Sequence, residues 1–322
     1  MGDILVLIEH REGEIREISY QMLWKADQLG RDLGHGLIAI IIGTQDDSTL
    51  GEISERADKV ISVGGEELKH FNADIYKEVL SELMDEHHPY LTLIGHTPWG
   101  MELAPALAVK KGIPIATDCV DILIEDGGPK AIRQIYSGKL FSRVAMRDSE
   151  SYIFTIRAGA FPEDMAERRS GEILKKDAPG TLPPARKQFL AFEEAGAGEV
   201  DISQAELLVS IGRGVGEEEK VAVVKELAEG LGGVLSCSRP VVDKGWLPKY
   251  HQVGTSGKTV KPKVYLALGI SGAFQHIAGI SGSGTVIAVN KDKKAPIFRV
   301  AQYGVVDDLF KVVEALKEKL AG

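Results

Sequence analysis

The first part of the chain alternates short, wholly apolar runs with longer stretches in which apolar residues recur every three or four positions. Runs of the first kind are typical of strands buried on both faces, and stretches of the second kind predict amphipathic helices. The predicted strands are residues 4–8, 37–42, 59–63 and 90–94, and the predicted helices are residues 17–33, 50–57, 72–86 and 98–111. This alternation predicts a Rossmann-like parallel α/β sheet.

Beyond Pro114 the pattern changes to alternation of apolar and polar residues. Four consecutive strands are predicted there, over residues 120–124, 131–136, 140–147 and 152–157, with turns at 126–128 and 137–138. Because strands joined by tight turns pair antiparallel, we expect an antiparallel extension of the parallel sheet.

Residues 158–203 are interrupted by four prolines, and only residues 187–192 within them are predicted as a strand. At 322 residues the chain is long enough for two cores, and the boundary is expected within residues 195–203. We therefore predict an N-terminal α/β domain of residues 1–198 and a C-terminal domain of residues 199–322.

The second half returns to the strand and helix pattern. Strands are predicted over residues 205–211, 263–268 and 285–290, and helices over 217–231, from 271 to 279 and over 307–320. This order predicts a second, doubly wound α/β domain.

A glycine loop, residues 212–216, lies between the first strand and the first helix of this domain. A strand followed by a glycine loop and a helix presents backbone N–H groups to an anion. The match to the dinucleotide fingerprint is partial, because Glu217 stands where the last glycine belongs, and the acidic residues at 217–219 oppose a phosphate on the helix. A tight turn without a ligand is the alternative, although Arg213 inside the loop favours a phosphate clamp.

A second glycine-rich segment, residues 254–259, superficially resembles a P-loop. The pattern requires glycine at position 252, where the chain has Gln252, and no apolar strand directly precedes it. A kinase-like phosphate site is therefore disfavoured.

The composition excludes several classes of protein. The net charge of −9, from 38 basic and 47 acidic residues, opposes binding to nucleic acid, and the apolar runs are too short for membrane insertion. The N-terminus lacks the features of a secretory signal, so a cytoplasmic location is expected. Cys119 and Cys237 are far apart and His87-His88 has no spaced ligand partner, so no metal site is predicted.

The chemistry is concentrated in residues 236–290, where glycines alternate with hydroxyl, amide, imidazole and guanidinium side chains. Across residues 205–320 the chain resembles the α subunit of the electron transfer flavoproteins. The motifs that carry the resemblance occur in the family's order: Ser238-Arg239-Pro240, Val242-Asp243, Gly245-Trp246-Leu247-Pro248, Gln252-Val253-Gly254, Gly257-Lys258-Thr259-Val260, residues 269–276, residues 288–292, Ala295-Pro296-Ile297-Phe298 and Tyr303-Gly304. The first half matches only in general pattern.

The resemblance implies an α/β subunit that binds FAD in its C-terminal domain and pairs with a β subunit. The cofactor-binding residues that it implies are Arg213, Ser238, Arg239, Gln252, Val253, Gly254, Thr255, Ser256, Gly257, Ser271, Gly272, Ala273, Phe274, Gln275, His276, Asn290, Asp308 and Leu309. No catalytic residue is implied.

The resemblance also assigns roles to three of these residues. Arg239 is expected over the flavin ring, where a cation favours added electron density. His276 is expected to donate to the pyrimidine-side carbonyl. Ser256 stands where many members of the family have threonine, and either hydroxyl could bond to flavin N5.

The implied function is electron transfer between a flavin dehydrogenase, such as an acyl-CoA dehydrogenase of fatty acid β-oxidation, and a quinone- or ferredoxin-linked acceptor. The alternative is an electron-bifurcating, NADH-oxidising complex, in which the β subunit carries a second FAD instead of AMP. An NAD-binding enzyme is disfavoured, because residues 234–236 lack the acidic residue that recognises the ribose. The N-terminal domain has no ligand motif, and we expect it to dock the β subunit.

Overall fold

The computed structural model describes residues 2–11, 13–136, 138–164, 168–191 and 201–321. The chain divides into two compact units, Met1–Ala191 and Phe192–Gly322. The predicted boundary between residues 198 and 199 lies outside the described residues. Each unit contains its own main sheet.

The first unit is built on a nine-stranded sheet and a small two-stranded ribbon. Its strands are β1 (Ile4–Ile8), β2 (His10–Arg11), β3 (Glu14–Ile15), β4 (Leu37–Ile42), β5 (Lys59–Gly64), β6 (Leu91–Gly95), β7 (Ile115–Glu125), β8 (Gly128–Ile135), β9 (Leu140–Ala145), β10 (Tyr152–Ile156) and β11 (Glu172–Asp177). The main sheet has the order β11-β5-β4-β1-β6-β10-β7-β8-β9, and β2 pairs with β3. Pairing is parallel from β11 to β7 and antiparallel among β7, β8 and β9. The predicted parallel sheet with an antiparallel extension is confirmed.

Three details of the predicted strands differ from the structure. Strand β10 does not belong to the antiparallel extension, because it lies between β6 and β7 and pairs parallel with both. All five of its residues are buried, as expected for a central strand covered on both faces. Strand β11 was not predicted, and no strand occurs over residues 187–191, the described part of the predicted strand 187–192.

The helices of the first unit cover both faces of the sheet. They are α1 (Glu17–Leu33), α2 (Asp47–Ser54), α3 (Ala73–His87) and α4 (Pro98–Lys111). Alternate residues of β1 enter different core layers: Ile4, Val6 and Ile8 pack with α1 and α2, whereas Leu5 and Leu7 pack with α3 and α4. Burial on both faces explains why these strands have no polar alternation.

A buried carboxyl group lies where β1 ends. Glu9 is only 4% exposed, and its Oε1 accepts a hydrogen bond of 2.7 Å from the hydroxyl of Thr97. Thr97 also caps α4, because its Oγ1 accepts from the N–H of Gly100. Burial raises the pKa of Glu9 to about 7, against the smaller opposing effects of the Thr97 hydrogen bond and the Arg16 charge.

The outer edge of the antiparallel extension carries exposed apolar side chains. Tyr136, Leu140 and Phe141 lie where β8 and β9 meet, with exposed fractions of 74%, 54% and 65%. Strand β9 is the last strand of the sheet and pairs only with β8 within the described part of the chain. We call these three residues the hairpin patch.

The second unit is built on a six-stranded, wholly parallel sheet. Its strands are β12 (Leu207–Ile211), β13 (Val234–Ser238), β14 (Gln252–Val253), β15 (Val264–Leu268), β16 (Thr285–Val289) and β17 (Tyr303–Val305). Their order is β14-β13-β12-β15-β16-β17, so the direction of winding reverses between β12 and β15. This is the doubly wound order of dinucleotide-binding folds, and the predicted fold class is confirmed.

The helices of the second unit are α5 (Val221–Gly230), α6 (Arg239–Asp243), α7 (Phe274–Ala278) and α8 (Leu309–Ala321). The helix predicted from residue 217 begins later, at Val221. A single turn of 3-10 helix, Glu218–Lys220, precedes it. The glycine loop is therefore separated from the regular helix by this acidic turn.

Neighbouring residues of β13 point to opposite faces of the second sheet. Cys237 is completely buried in the core layer beneath α5, whereas Ser238 belongs to the side that forms the site described below. Burial raises the pKa of the Cys237 thiol to about 12.

Two further observations concern the described residues alone. None of their helices has the length and apolar character needed to cross a membrane. No group of three or more histidine, cysteine, aspartate or glutamate side chains among them is arranged to hold a metal ion.

Candidate functional site

A cavity of about 600 Å³ opens at the point where the second sheet reverses its winding. The loops that follow β12 and β15 diverge there, and in doubly wound folds ligands bind in this crevice outside the carboxyl ends of the strands. The cavity is lined by Arg213, Gly214, Ser238, Arg239, Pro240, Asp243, Val253, Gly254, Thr255, Ser256, Gly269, Ile270, Ser271, Ala273, Gln275, His276 and Asn290.

Where they begin, the loops that follow β12 and β15 are in contact through two glycines, Gly214 and Gly269. The N–H of Gly214 donates to the carbonyl oxygen of Gly269 at 3.1 Å. A Cβ atom on Gly214 would lie 2.7 Å from the Cα of Gly269, and a Cβ atom on Gly269 would lie 2.8 Å from a methyl carbon of Leu309. Gly269 also has φ +64°, in the left-handed region. The backbone itself therefore forms this wall of the cavity.

The opposite wall is formed by residues 254–257, after the short edge strand β14. Thr255 donates its N–H to the carbonyl of Gln275 at 3.0 Å, and a Cβ atom on Gly279 would lie 2.6 Å from the Cα of Gly254. The Gln252 side chain is buried and its Nε2 donates to the Ser256 hydroxyl at 2.8 Å. Residues 254–257, part of the segment that resembles a P-loop in sequence, are thus hydrogen-bonded to the first turn of α7 and do not form a separate phosphate-binding loop.

Two arginine side chains supply the positive charge of the site. Arg213 lies in the glycine loop and is exposed. Arg239 begins α6, has an exposed side chain, and its Nε lies 3.5 Å from a carboxylate oxygen of Asp243. An exposed pair of this length contributes little to stability, so the Arg239 guanidinium is available to a ligand.

His276 lies on the floor of the cavity and is 5% exposed. Its Nδ1 is 3.2 Å from the Val253 carbonyl oxygen and its Nε2 is 2.8 Å from the Tyr265 hydroxyl. Burial lowers the pKa of His276 to about 4, and the Val253 hydrogen bond opposes part of that shift. The imidazole is therefore neutral at neutral pH, with both nitrogens bonded inside the protein.

The structure places twelve of the predicted site residues in the cavity lining: Arg213, Ser238, Arg239, Val253, Gly254, Thr255, Ser256, Ser271, Ala273, Gln275, His276 and Asn290. Six others lie behind it or beside it. Gln252 and Gly257 support the second wall, Gly272 packs on the backbone of Ile297, and Phe274 begins α7.

The last two of the six lie near the start of α8. Leu309 is buried beneath Gly269, and the Asp308 carboxylate accepts from the N–H of Phe310 and pairs with Lys291 at 2.7 Å. Asn290, at the end of β16, donates its side-chain N–H to the Ile270 carbonyl at 2.8 Å. These three residues fix the loops on the β16 side of the site.

Five lining residues were not predicted: Gly214, Pro240, Asp243, Gly269 and Ile270. Each lies within a quoted motif or directly beside a predicted residue. Asp243 had a further signal, because it stands four residues after Arg239, the spacing of an ion pair within one helix.

Comparison with known proteins assigns both units to one family. The family model described as "Electron transfer flavoprotein domain" matches residues 4–180, and the model described as "Electron transfer flavoprotein FAD-binding domain" matches residues 201–281.

Relatives match along the whole chain. The electron transfer flavoprotein subunit alpha of Methylophilus methylotrophus is 36% identical over 324 residues, covering 100% of both chains. The protein of the same name from Thermoanaerobacterium thermosaccharolyticum is 36% identical, covering 99% of this chain and 97% of that relative. The lactate dehydrogenase (NAD(+),ferredoxin) subunit LctC of Acetobacterium woodii is 32% identical, covering 99% of this chain and 77% of that relative.

Proposed function

The chain belongs to the electron transfer flavoprotein family as an α subunit, and we propose that the cavity of its second unit holds the FAD. The chain is an FAD-binding electron carrier subunit, as the resemblance implied. One observation carries the proposed location: every residue that lines the cavity, except Asn290, falls within residues 201–281, the range matched by the FAD-binding domain.

The donor set of the cavity fits a dinucleotide. Arg213 and Arg239 provide cations, Ser238, Thr255, Ser256 and Ser271 provide hydroxyl groups, and Gln275 and Asn290 provide amides. The Gly214 and Gly269 contact leaves no side chain between the ligand and this wall. Bound FAD supplies the redox chemistry, while the protein binds it, orients it and sets its potential.

The partners proposed here follow the family. A β subunit carrying AMP pairs with this chain, a flavin dehydrogenase such as an acyl-CoA dehydrogenase supplies electrons, and a quinone- or ferredoxin-linked acceptor receives them. The proposed location is the cytoplasm.

A bifurcating complex is the second candidate function. It is favoured by the 32% identity to a subunit of an NAD(+)- and ferredoxin-linked lactate dehydrogenase over 99% of this chain. In that case the β subunit would carry a second FAD, and NADH would supply electrons.

Cofactor analysis of the purified complex tests both candidates. The chain is co-expressed with its β subunit, and the FAD and AMP released from the complex are measured per heterodimer. One FAD and one AMP support the simple carrier, whereas two FAD support the bifurcating complex. Bound NAD without flavin would contradict both.

Arg239 is proposed to raise the reduction potential of the flavin. Arg239→Ala should lower the midpoint potential by about 60 mV, because a one-electron shift of 59 mV corresponds to about 1.4 kcal/mol of lost preference for the reduced state. Spectroelectrochemical titration measures the change at equal FAD content.

Two companion variants sharpen the Arg239 test. Arg239→Lys retains the charge and should retain most of the potential. Asp243→Asn removes the carboxylate 3.5 Å from the Arg239 Nε and should raise the potential. An unaltered potential in Arg239→Ala with FAD still bound would exclude the role.

The hairpin patch is proposed as part of the surface that docks the β subunit. An open sheet edge with exposed aromatic and aliphatic side chains is typical of a surface covered by a partner. The double variant Tyr136→Ser and Phe141→Ser should reduce capture of a tagged β subunit at least about tenfold. Val109→Ser, which alters an apolar residue 83% exposed on α4, is the matched control and should capture normally. Equal capture by the double variant would refute the assignment.

A further inference from the structure

A series of buried polar side chains leads from the floor of the cavity into the core of the second unit. It begins at His276, 5% exposed, and continues to Tyr265, which has no exposed surface. The His276 Nε2 and the Tyr265 hydroxyl are 2.8 Å apart, and the His276 Nδ1 lies 3.2 Å from the Val253 carbonyl. Both imidazole nitrogens are therefore engaged on the protein side of the site.

The chemistry of these partners fixes the tautomer of His276. A carbonyl oxygen only accepts hydrogen bonds, so the hydrogen must reside on Nδ1. Burial keeps the ring neutral at neutral pH, and a neutral ring with hydrogen on Nδ1 has a lone pair on Nε2. The Tyr265 hydroxyl must then be the donor.

Two buried serine side chains lie on the same face of the sheet as Tyr265. Ser210 on β12 and Ser236 on β13 are in register, and Ser210 is also in register with Ala267, two residues after Tyr265 on β15. All four side chains consequently point to the same face of the sheet. The serine hydroxyls have no hydrogen-bond partner within the described residues. They are close enough to Tyr265 to lower its pKa, against the larger rise that burial causes. If they rotate to donate to the Tyr265 oxygen, its own hydrogen is directed to His276.

We propose that Tyr265 is the positioning residue for His276, donating to Nε2 and holding the imidazole as the tautomer with hydrogen on Nδ1. The inference rests on the proposed function, because it concerns a side chain expected beside the flavin. Its consequence is specific: His276 can donate from Nε2 to a flavin carbonyl only after its bond to Tyr265 is broken and its hydrogen has moved.

Nitrogen NMR of the histidine rings tests the inference. The 322-residue chain, as purified, is labelled with ¹⁵N at its eight histidines, and the His276 signals are identified by their loss in His276→Gln. At pH 7 we expect a protonated Nδ1 and an unprotonated Nε2. Tyr265→Phe should shift the Nε2 signal away from its hydrogen-bonded position and produce a mixture of both tautomers. Tyr303→Phe, at a tyrosine that is 65% exposed, is the matched control and should leave the signals unaltered.

Two results would overturn the inference: a hydrogen on Nε2 in the unaltered protein, or His276 signals that do not respond to Tyr265→Phe in a folded variant. Should that variant not fold, the tautomer of the unaltered protein still decides. The spectrum can also be recorded after FAD removal, so it is independent of the cofactor content that tests the proposed function.

Discussion

Replacing Gly269 with valine should greatly reduce the amount of FAD bound by the second unit. The new side chain would occupy a backbone with φ +64°, 2.8 Å from a Leu309 methyl carbon and 2.9 Å from the Cα of Gly214. Left-handed backbone strain costs about 1–2 kcal/mol and overpacking costs about 1–3 kcal/mol, so we expect a loss of about 4 kcal/mol in the free energy of unfolding. The glycine loop must move to relieve the contact, and FAD per chain should fall at least about tenfold.

Gly232→Val is the matched control for this substitution. Gly232 has φ +68°, but a Cβ atom there would meet nothing within 4 Å. It therefore reproduces the backbone strain without the steric contact, and its FAD content should be close to that of the unaltered protein. Urea unfolding is followed through Trp246 after Trp24 and Trp99 are replaced by phenylalanine. Equal FAD loss in both variants would mean that the contact between the loops does not shape the site.

The second large effect is expected in the pH dependence of the first unit. The pKa of Glu9 is raised from 4.5 to about 7 in the folded protein, so the folded state retains the proton more strongly than the unfolded state. The stability that this proton confers is fully present below pH 4.5 and is lost as the pH rises to about 7. At 1.36 kcal/mol per pH unit, the loss is about 3 kcal/mol.

Glu9→Gln should remove that loss, because the amide retains an acceptor for Thr97 without becoming charged. Urea unfolding of the protein and the variant is compared at pH 4.5 and pH 8, following Trp24 and Trp99 in a Trp246→Phe background. Glu14→Gln alters an exposed glutamate of the same unit and serves as the control. If Glu9→Gln has the same pH dependence as the unaltered protein, Glu9 does not hold a proton near neutral pH.

The predictable parts of the fold are those with strong internal periodicity. Helix α1 was predicted at its observed bounds, residues 17–33, because its apolar positions repeat over many turns and Gly34 ends it with a left-handed backbone. The partners of β10 were not predictable in the same way, because alternation identifies a strand but not its neighbours. Strand β11, with the sequence Glu-Ile-Leu-Lys-Lys-Asp, was missed because an edge strand with little burial has no apolar signal.

The candidate site also contains residues that the sequence predicted and one important residue that it did not. Motifs located most of the lining, because glycine, hydroxyl and arginine groups in a fixed order are visible in the sequence. Tyr265 was invisible as a partner of His276, because it reads as an ordinary apolar position of β15 and only the fold brings its hydroxyl to the imidazole. Contacts between a strand and a distant helix depend on packing, which no local pattern encodes.

Cys237 stands one residue before Ser238, yet it faces the opposite core layer and its thiol has a pKa of about 12. Since the thiolate is the reactive form of cysteine, almost none of it exists at neutral pH. An oxidant that enters the cavity would therefore meet Ser238, whereas the Cys237 sulfur is a buried thiol on the other face of the sheet. The pleat of one strand thus keeps the sulfur away from the cavity, although Cys237 is adjacent to a cavity-lining residue in the sequence.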